Sequence, residues 1–232
     1  MSQVFALLHS PLLDAASWGD VAPALAALGH GAAVVAVDEI DAPPYADTYV
    51  KQAAEQLADT PGEMVLVAHS GAGYLLPALG CELAVRGRPV DGYVLYEAGL
   101  PGEPGSTRLS LLARESPELA GLLRVHLEEG GRYPTWTLDE LRQQVPDDTA
   151  RARLVRGVRG RGLDFFTEPL PTWDEWPDAP VGYLRLSAGY DGCAARARAL
   201  GWPTEQLRGG HFWALNDPHG FAEALVGVRA RL

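Results

Sequence analysis

The sequence has little cysteine, little positive charge and no long apolar run. Two cysteines occur, Cys81 and Cys193, far apart in the chain. Two thiols make no disulfide framework, so a reducing compartment is the expected setting. No close Cys/His cluster has metal-ligand spacing, and no glycine-rich phosphate loop of the required form occurs. Neither a metal nor a cofactor is therefore expected. Lysine and arginine total 19 against 30 acidic residues, for a formal net charge of −11. An acidic body repels phosphate backbones, which argues against nucleic acid as a partner. Arg151, Arg153, Arg156, Arg159 and Arg161 are the local exception, and their partly helical spacing reads as a solvated helix face. No apolar stretch approaches the roughly 20 residues of a membrane span. The short run at 4–8 has no basic segment before it, so no signal peptide is read and the cytoplasm is the expected location. Nothing in the sequence speaks to oligomeric state.

What is present is ordinary for a soluble globular protein. The chain has 232 residues, 47% hydrophobic and 21% charged. That length fits one domain with a modest insertion. Short apolar runs recur at 4–8, 33–37, 64–68, 93–96 and 183–186, with a weaker one at 205–207. Such runs, bounded by Gly, Pro and Asp, predict buried parallel strands. Helical periodicity marks 20–28, 48–57, 74–85 and 218–232, the last with Asp217 as a plausible N-cap. Alternating strand and helix predicts an α/β fold, a mostly parallel central sheet flanked by helices. The rhythm breaks between Leu100 and Ala179. Helical pieces at 110–127, 138–144 and 148–158 appear there without a convincing strand. This predicts a helical lid, residues 101–179, inserted between late strands of a core made of 1–100 and 180–232.

The sharpest chemical signal runs from Val65 to Tyr74. An apolar strand meets Ser70 and a helix follows at once. A tight strand-to-helix turn thrusts the serine hydroxyl out at the sheet edge, and its crowded backbone needs small residues two before and two after. Ala68 and Ala72 fill those places. The Gly71 N–H points where an oxyanion would form, beside a helix N-terminus.

On these residues the chain resembles the α/β-hydrolase fold family. The 4–9 segment looks like that family's early strand and its His-Gly dipeptide, here His9-Ser10. Gly209-Gly210-His211-Phe212 with Asp217-Pro218 looks like its histidine loop and last helix. The resemblance implies Ser70 as nucleophile and His211 as general base. Two carboxylates compete as the acid that orients the histidine. Asp191 follows the fifth strand, where the family's acid commonly sits, and it also fits as a helix cap. Glu97 ends the fourth strand, where a buried carboxylate is costly unless paired.

One feature departs from the family. The second oxyanion donor is often the N–H two residues after the early histidine, and here that residue is Pro11, which has none. The Leu12 N–H or the Ser10 hydroxyl is the expected substitute. Aromatic residues of the insertion (Tyr133, Trp136, Phe165, Phe166, Trp173, Trp176), with Trp18, Trp213 and Tyr190 beside the loops, are expected to line an apolar pocket above Ser70. The expectation is therefore a serine hydrolase acting on an ester, thioester or lactone of a hydrophobic small molecule. The alternatives are a lyase, cyclase or isomerase that uses Ser70 and His211 as a proton shuttle, and a small-molecule receptor.

Overall fold

A computed structural model describes residues 3–232; residues 1 and 2, where the expected core begins, lie outside the described residues. Six strands form one sheet: β1 (Gln3–Leu8), β2 (Gly31–Val35), β3 (Glu63–His69), β4 (Gly92–Tyr96), β5 (Val181–Arg185) and β6 (Thr204–Gln206). Their spatial order is β2-β1-β3-β4-β5-β6, and every pairing is parallel. All strands therefore end on one edge, where loops can bring distant residues together.

The continuous apolar runs of β3 and β4 follow from burial on both faces. On one face pack α2 (Tyr45–Leu57), α3 (Leu76–Val85) and α8 (Asp191–Ala199), whose buried residues join Leu66, Tyr93 and Tyr183. On the other face pack α1 (Val21–Ala27) and α10 (Pro218–Arg229), with Phe221 and Leu225 against Phe5, Val65 and Val94. Asp217 caps α10, its side chain accepting from the Gly220 N–H at 2.9 Å.

Between β4 and β5 lie α4 (Arg108–Glu115), α5 (Pro117–Glu128), α6 (Asp148–Arg156) and α7 (Leu163–Thr167). The last short helix, α9 (Trp213–Asn216), follows the histidine loop. No helix is long and apolar enough to cross a membrane among the described residues.

Several local expectations shift. The helix expected over 110–127 is two helices, because Pro117 cannot continue an i→i−4 ladder and holds Ser116 out of helical geometry (φ −146°, ψ 85°). The piece at 138–144 forms turns. The second strand covers Gly31–Val35 rather than 33–37. Beyond Val35 the backbone N–H groups go to side chains instead: Ala36 to Gln56, Val37 to His9 Nε2 and Asp38 to Gln52. The arginine run is not a uniformly solvated face either. Arg151 and Arg161 are buried. Their guanidinium groups donate to the carbonyls of Val145 and Pro146, and of Ile40, so each ties down a loop.

Two histidines are locked in the neutral form inside this fold. His9 Nδ1–H donates to the Ser10 carbonyl at 2.9 Å, while Nε2 accepts from Val37. His69 lies under the histidine loop, its ring stacked on Tyr96 at 4.8 Å. Burial lowers the pKa of both, and for His69 the nearby His211 adds to it. A depressed histidine costs the fold nothing above the unfolded value, near 6.5. As pH falls below that value the unfolded chain takes up the proton first, so stability drops until the folded pKa is reached. Each histidine contributes a loss of about 1.4 kcal/mol per pH unit in that window. Melting curves recorded from about pH 7.5 down to about 5.5 are expected to fall steadily, and less steeply for His9→Asn. A flat profile would contradict the neutral assignments.

Candidate active site

Ser70 leaves β3 in a left-handed conformation, φ 56°. The one other non-glycine residue with positive φ among the described residues is Glu97, φ 43°. Such backbone is strained for an L-residue and persists only where surrounding contacts impose it. At Ser70 the imposing contacts are tight. Ala68 and Ala72 are buried on either side. A Cβ on Gly73 would fall 2.2 Å from the Gly99 carbonyl oxygen. A 3-10 turn over Ser70–Leu75 then leads into α3.

His211 reaches the same edge from the loop after β6. Its carbonyl is held by two donors, the His69 Nε2–H at 3.1 Å and the Tyr96 hydroxyl at 2.9 Å. Its ring lies parallel to Tyr190 at 5.4 Å with 4° between planes. The Tyr190 hydroxyl is 3.3 Å from Ser70 Oγ and is the serine's one side-chain hydrogen-bond partner among the described residues. Burial raises the Tyr190 pKa, which keeps the phenol protonated. Tyr190 had no particular role in the sequence beyond its place among the aromatics; the structure puts it against both the serine and the histidine.

The two candidate acids part company here. Glu97 is fully buried, and its Oε2 lies 3.8 Å from His211 Nδ1. Its Oε1 accepts from the Leu186 N–H at 2.5 Å and the Ser187 N–H at 2.9 Å, and its Oε2 accepts from the Ser187 hydroxyl. Burial pushes this carboxyl up, but His211, the Ser187 hydroxyl and the two backbone N–H groups outweigh it, and the pKa is lowered. Glu97 is therefore an ionised group held facing the histidine. His211 Nδ1 is buried with no other partner. Asp191, by contrast, begins α8 with its side chain 63% exposed and pairs with Arg185. The structure does not bring it to His211. β4 and β5 are adjacent and parallel, so either strand end is near the histidine, but Arg185 at the end of β5 turns Asp191 outward.

The 9–12 loop stands against Gly71, the residue after Ser70. The Leu12 N–H donates to Ser10 Oγ at 3.3 Å, so it is already engaged. A Cβ placed on Gly71 would lie 3.6 Å from Ser10 Oγ and 3.5 Å from Pro11 Cδ. Ser10 thus faces the Gly71 backbone with its own O–H unassigned. The loop itself is fixed by His9, whose carbonyl accepts from the Tyr49 hydroxyl at 2.6 Å.

These groups open into one cavity of about 320 Å³, lined by Ser10, Leu12, Ser70, Gly71, Tyr190 and His211 among others. Leu112, Leu119, Leu123, Tyr133, Trp136, Phe165 and Phe166 supply its apolar wall from the segment between β4 and β5.

A model of the family described as "Alpha/beta hydrolase family" matches residues 3–224. The chain belongs to the alpha/beta hydrolase family. No curated protein matches by sequence. Solved structures match over nearly the whole chain. A pyrethroid hydrolase from Sphingobium faniae JZ-2 is 18% identical, with 98% of this chain and 97% of that one covered and a TM-score of 0.70. Tomato methylketone synthase I complexed with 2-tridecanone is 14% identical, with coverage of 100% and 99% and a TM-score of 0.71. An extracellular alpha/beta-hydrolase from a Paenibacillus species, described as sharing homology with tobacco salicylic acid binding protein 2, is 17% identical, with coverage of 97% and 98% and a TM-score of 0.68. At these identities the likeness establishes the fold.

Family membership makes the chain an enzyme, and not all of the aromatics expected in its pocket are there. Trp136 is. Trp18 is 1% exposed, packed beneath the site against His69, Tyr96 and Phe221. Trp213 packs on Phe221 and beside Gly209. Trp176 lies on the far side with Tyr93 and Trp202. In each case the large apolar surface goes to core burial, the commoner fate of tryptophan. Arg108, which no sequence pattern singles out, does line the cavity. Among the described residues no three His, Cys, Asp or Glu side chains cluster to hold a metal.

Proposed function

We propose that this hydrolase-family enzyme cleaves an ester, thioester or lactone of a hydrophobic small molecule through Ser70, His211 and Glu97. The supporting observation is the left-handed Ser70 at the end of β3, on the wall of an apolar cavity, beside a histidine backed by a buried ionised carboxylate. Ser70 Oγ gives its proton to His211 as it attacks the carbonyl carbon. Glu97 accepts from His211 Nδ1–H, fixes the tautomer and stabilises the imidazolium. The 3.8 Å separation is loose and closes when the substrate fills the site, as catalytic hydrogen bonds often do. Two donors meet the oxyanion: the Gly71 N–H and the Ser10 O–H. The Leu12 N–H, by donating to Ser10 Oγ, makes that hydroxyl a better donor and stands in for the N–H that Pro11 lacks. His211 then protonates the leaving oxygen or sulfur, and water releases the acyl group by the reverse steps.

The helices between β4 and β5 act as a lid, residues 101–179 over a core of 1–100 and 180–232. Their apolar side chains give the acyl part a dry site, which strengthens every polar contact at the reacting carbon.

Ser70 and Tyr190 favour one second reading. A serine bonded to a phenol rather than to its base, beside Pro11, also suits proton shuttling without an acyl-enzyme. The structural neighbours include one named a hydrolase and one named a methylketone synthase, so the fold is not tied to one reaction name. Rapid mixing with p-nitrophenyl hexanoate separates them. The hydrolase reading expects a burst of nitrophenolate equal to the enzyme concentration, then steady turnover. Absence of both burst and turnover in a folded protein would favour the shuttle.

A further inference from the structure

Arg108 is 4% exposed, begins α4 and forms part of the cavity wall. Its guanidinium lies over the Phe165 ring, 3.9 Å from the centroid. Nη1 alone makes its hydrogen bonds. It donates to the Phe165 carbonyl at 2.9 Å and to Glu168 Oε2 at 3.2 Å, joining α4 to α7. Nε and Nη2 are buried and have no partner. An orphaned Nε is common here, since Arg88, Arg151, Arg159, Arg161, Arg185 and Arg229 share it. An orphaned Nη2 occurs only at Arg108 among the described residues. Nε–H and Nη2–H are the two parallel donors along one edge of a guanidinium, the edge that grips a carboxylate bidentately. Leaving both buried and unmatched is costly, and anchoring α4 to α7 does not require it.

A second guanidinium lies close by. Arg161 is also buried, 5.9 Å from the centroid of the same Phe165 ring, while Glu168 is the one carboxylate paired with Arg108. Burial raises the pKa of Glu115, the carboxylate on the cavity wall, whose Oε1 accepts from the Cys193 thiol.

We propose that the Nε–Nη2 edge of Arg108 is a carboxylate subsite. The substrate is then a half-ester or half-thioester of a dicarboxylic acid, its scissile carbonyl at Ser70 and its free carboxylate on Arg108, with an apolar chain between. This rests on the ester-hydrolase reading for the reacting bond.

The test uses Ser70→Ala protein, so that binding is read without turnover. Monoethyl esters of dicarboxylic acids from succinate to azelate are titrated calorimetrically, each beside the ethyl ester of the monocarboxylic acid of equal length. At the length that spans the site, the half-ester is expected to bind at least roughly tenfold tighter. Arg108→Met abolishes that preference and Arg108→Lys keeps part of it. Because Arg108→Met removes the cation paired with Glu168 and leaves it only the Tyr45 and Ala46 N–H donors, the double variant Arg108→Met with Glu168→Gln is run beside it, and melting curves establish that it is folded. Equal affinity at every length overturns the subsite. So does a preference that survives in the folded double variant. Tighter half-ester binding to Ser70→Ala, with no ester turned over by the native enzyme, upholds the subsite and overturns the hydrolase reading.

Discussion

Ser70→Ala is expected to lower ester turnover by about 10⁵–10⁶-fold, the loss typical of removing a serine nucleophile. The fold should survive, because Oγ has one protein partner, the Tyr190 hydroxyl. Ser70→Gly sharpens the point. Glycine adopts positive φ freely, so at φ 56° it relieves backbone strain that serine carries. That variant should be equally inactive yet lose no stability, and gain up to about 1 kcal/mol in a denaturant titration. Activity that falls only because the protein unfolds would refute this. An active Ser70→Ala would remove the nucleophile from the account altogether.

Glu97→Gln is expected to reduce kcat by about 10³–10⁴-fold, whereas Asp191→Asn should stay within about threefold of the native enzyme. The difference follows from what each carboxylate touches. Three donors converge on Glu97, from Leu186 N–H, Ser187 N–H and the Ser187 hydroxyl. A glutamine has one accepting oxygen, so its NH₂ must either meet a donor or turn toward His211 and impose the wrong tautomer. Some stability should be lost as well, since the buried donors left behind have no other partner. Asp191 loses a pair with Arg185 in which its own side chain is 63% exposed, and solvent-screened pairs contribute little. The comparison is made by steady-state kinetics on both variants, with melting curves alongside. Equal effects would place the acid elsewhere.

The sheet and the elbow were legible in the sequence because each is written in local terms. β3 is an unbroken apolar run, and small residues flank Ser70. Which carboxylate lies beside His211 was not legible. Glu97 and Asp191 both follow strands, and spacing along the chain carries no record of which side chain Arg185 captures. Tyr190 was hidden for a similar reason: only the 3-10 turn at Ala188–Tyr190 brings its hydroxyl back to Ser70. Trp18 was misplaced because a tryptophan near a loop looks the same whether it faces a cavity or plugs the core. Arg151 and Arg161 misled through composition, since a run of charge is usually solvated, and here two of its members satisfy loop carbonyls instead.

The central claim is that Ser70 is a nucleophile activated by His211 above a working oxyanion site. Intact mass spectrometry after exposure to a fluorophosphonate tests it most directly, on the native protein and on Ser70→Ala and His211→Ala. The reagent reacts only where a serine is activated and its developing oxyanion is held. A single adduct on the native protein, absent from both variants, is the predicted result. A folded native protein that takes up no adduct, or an adduct that persists in Ser70→Ala, would contradict it.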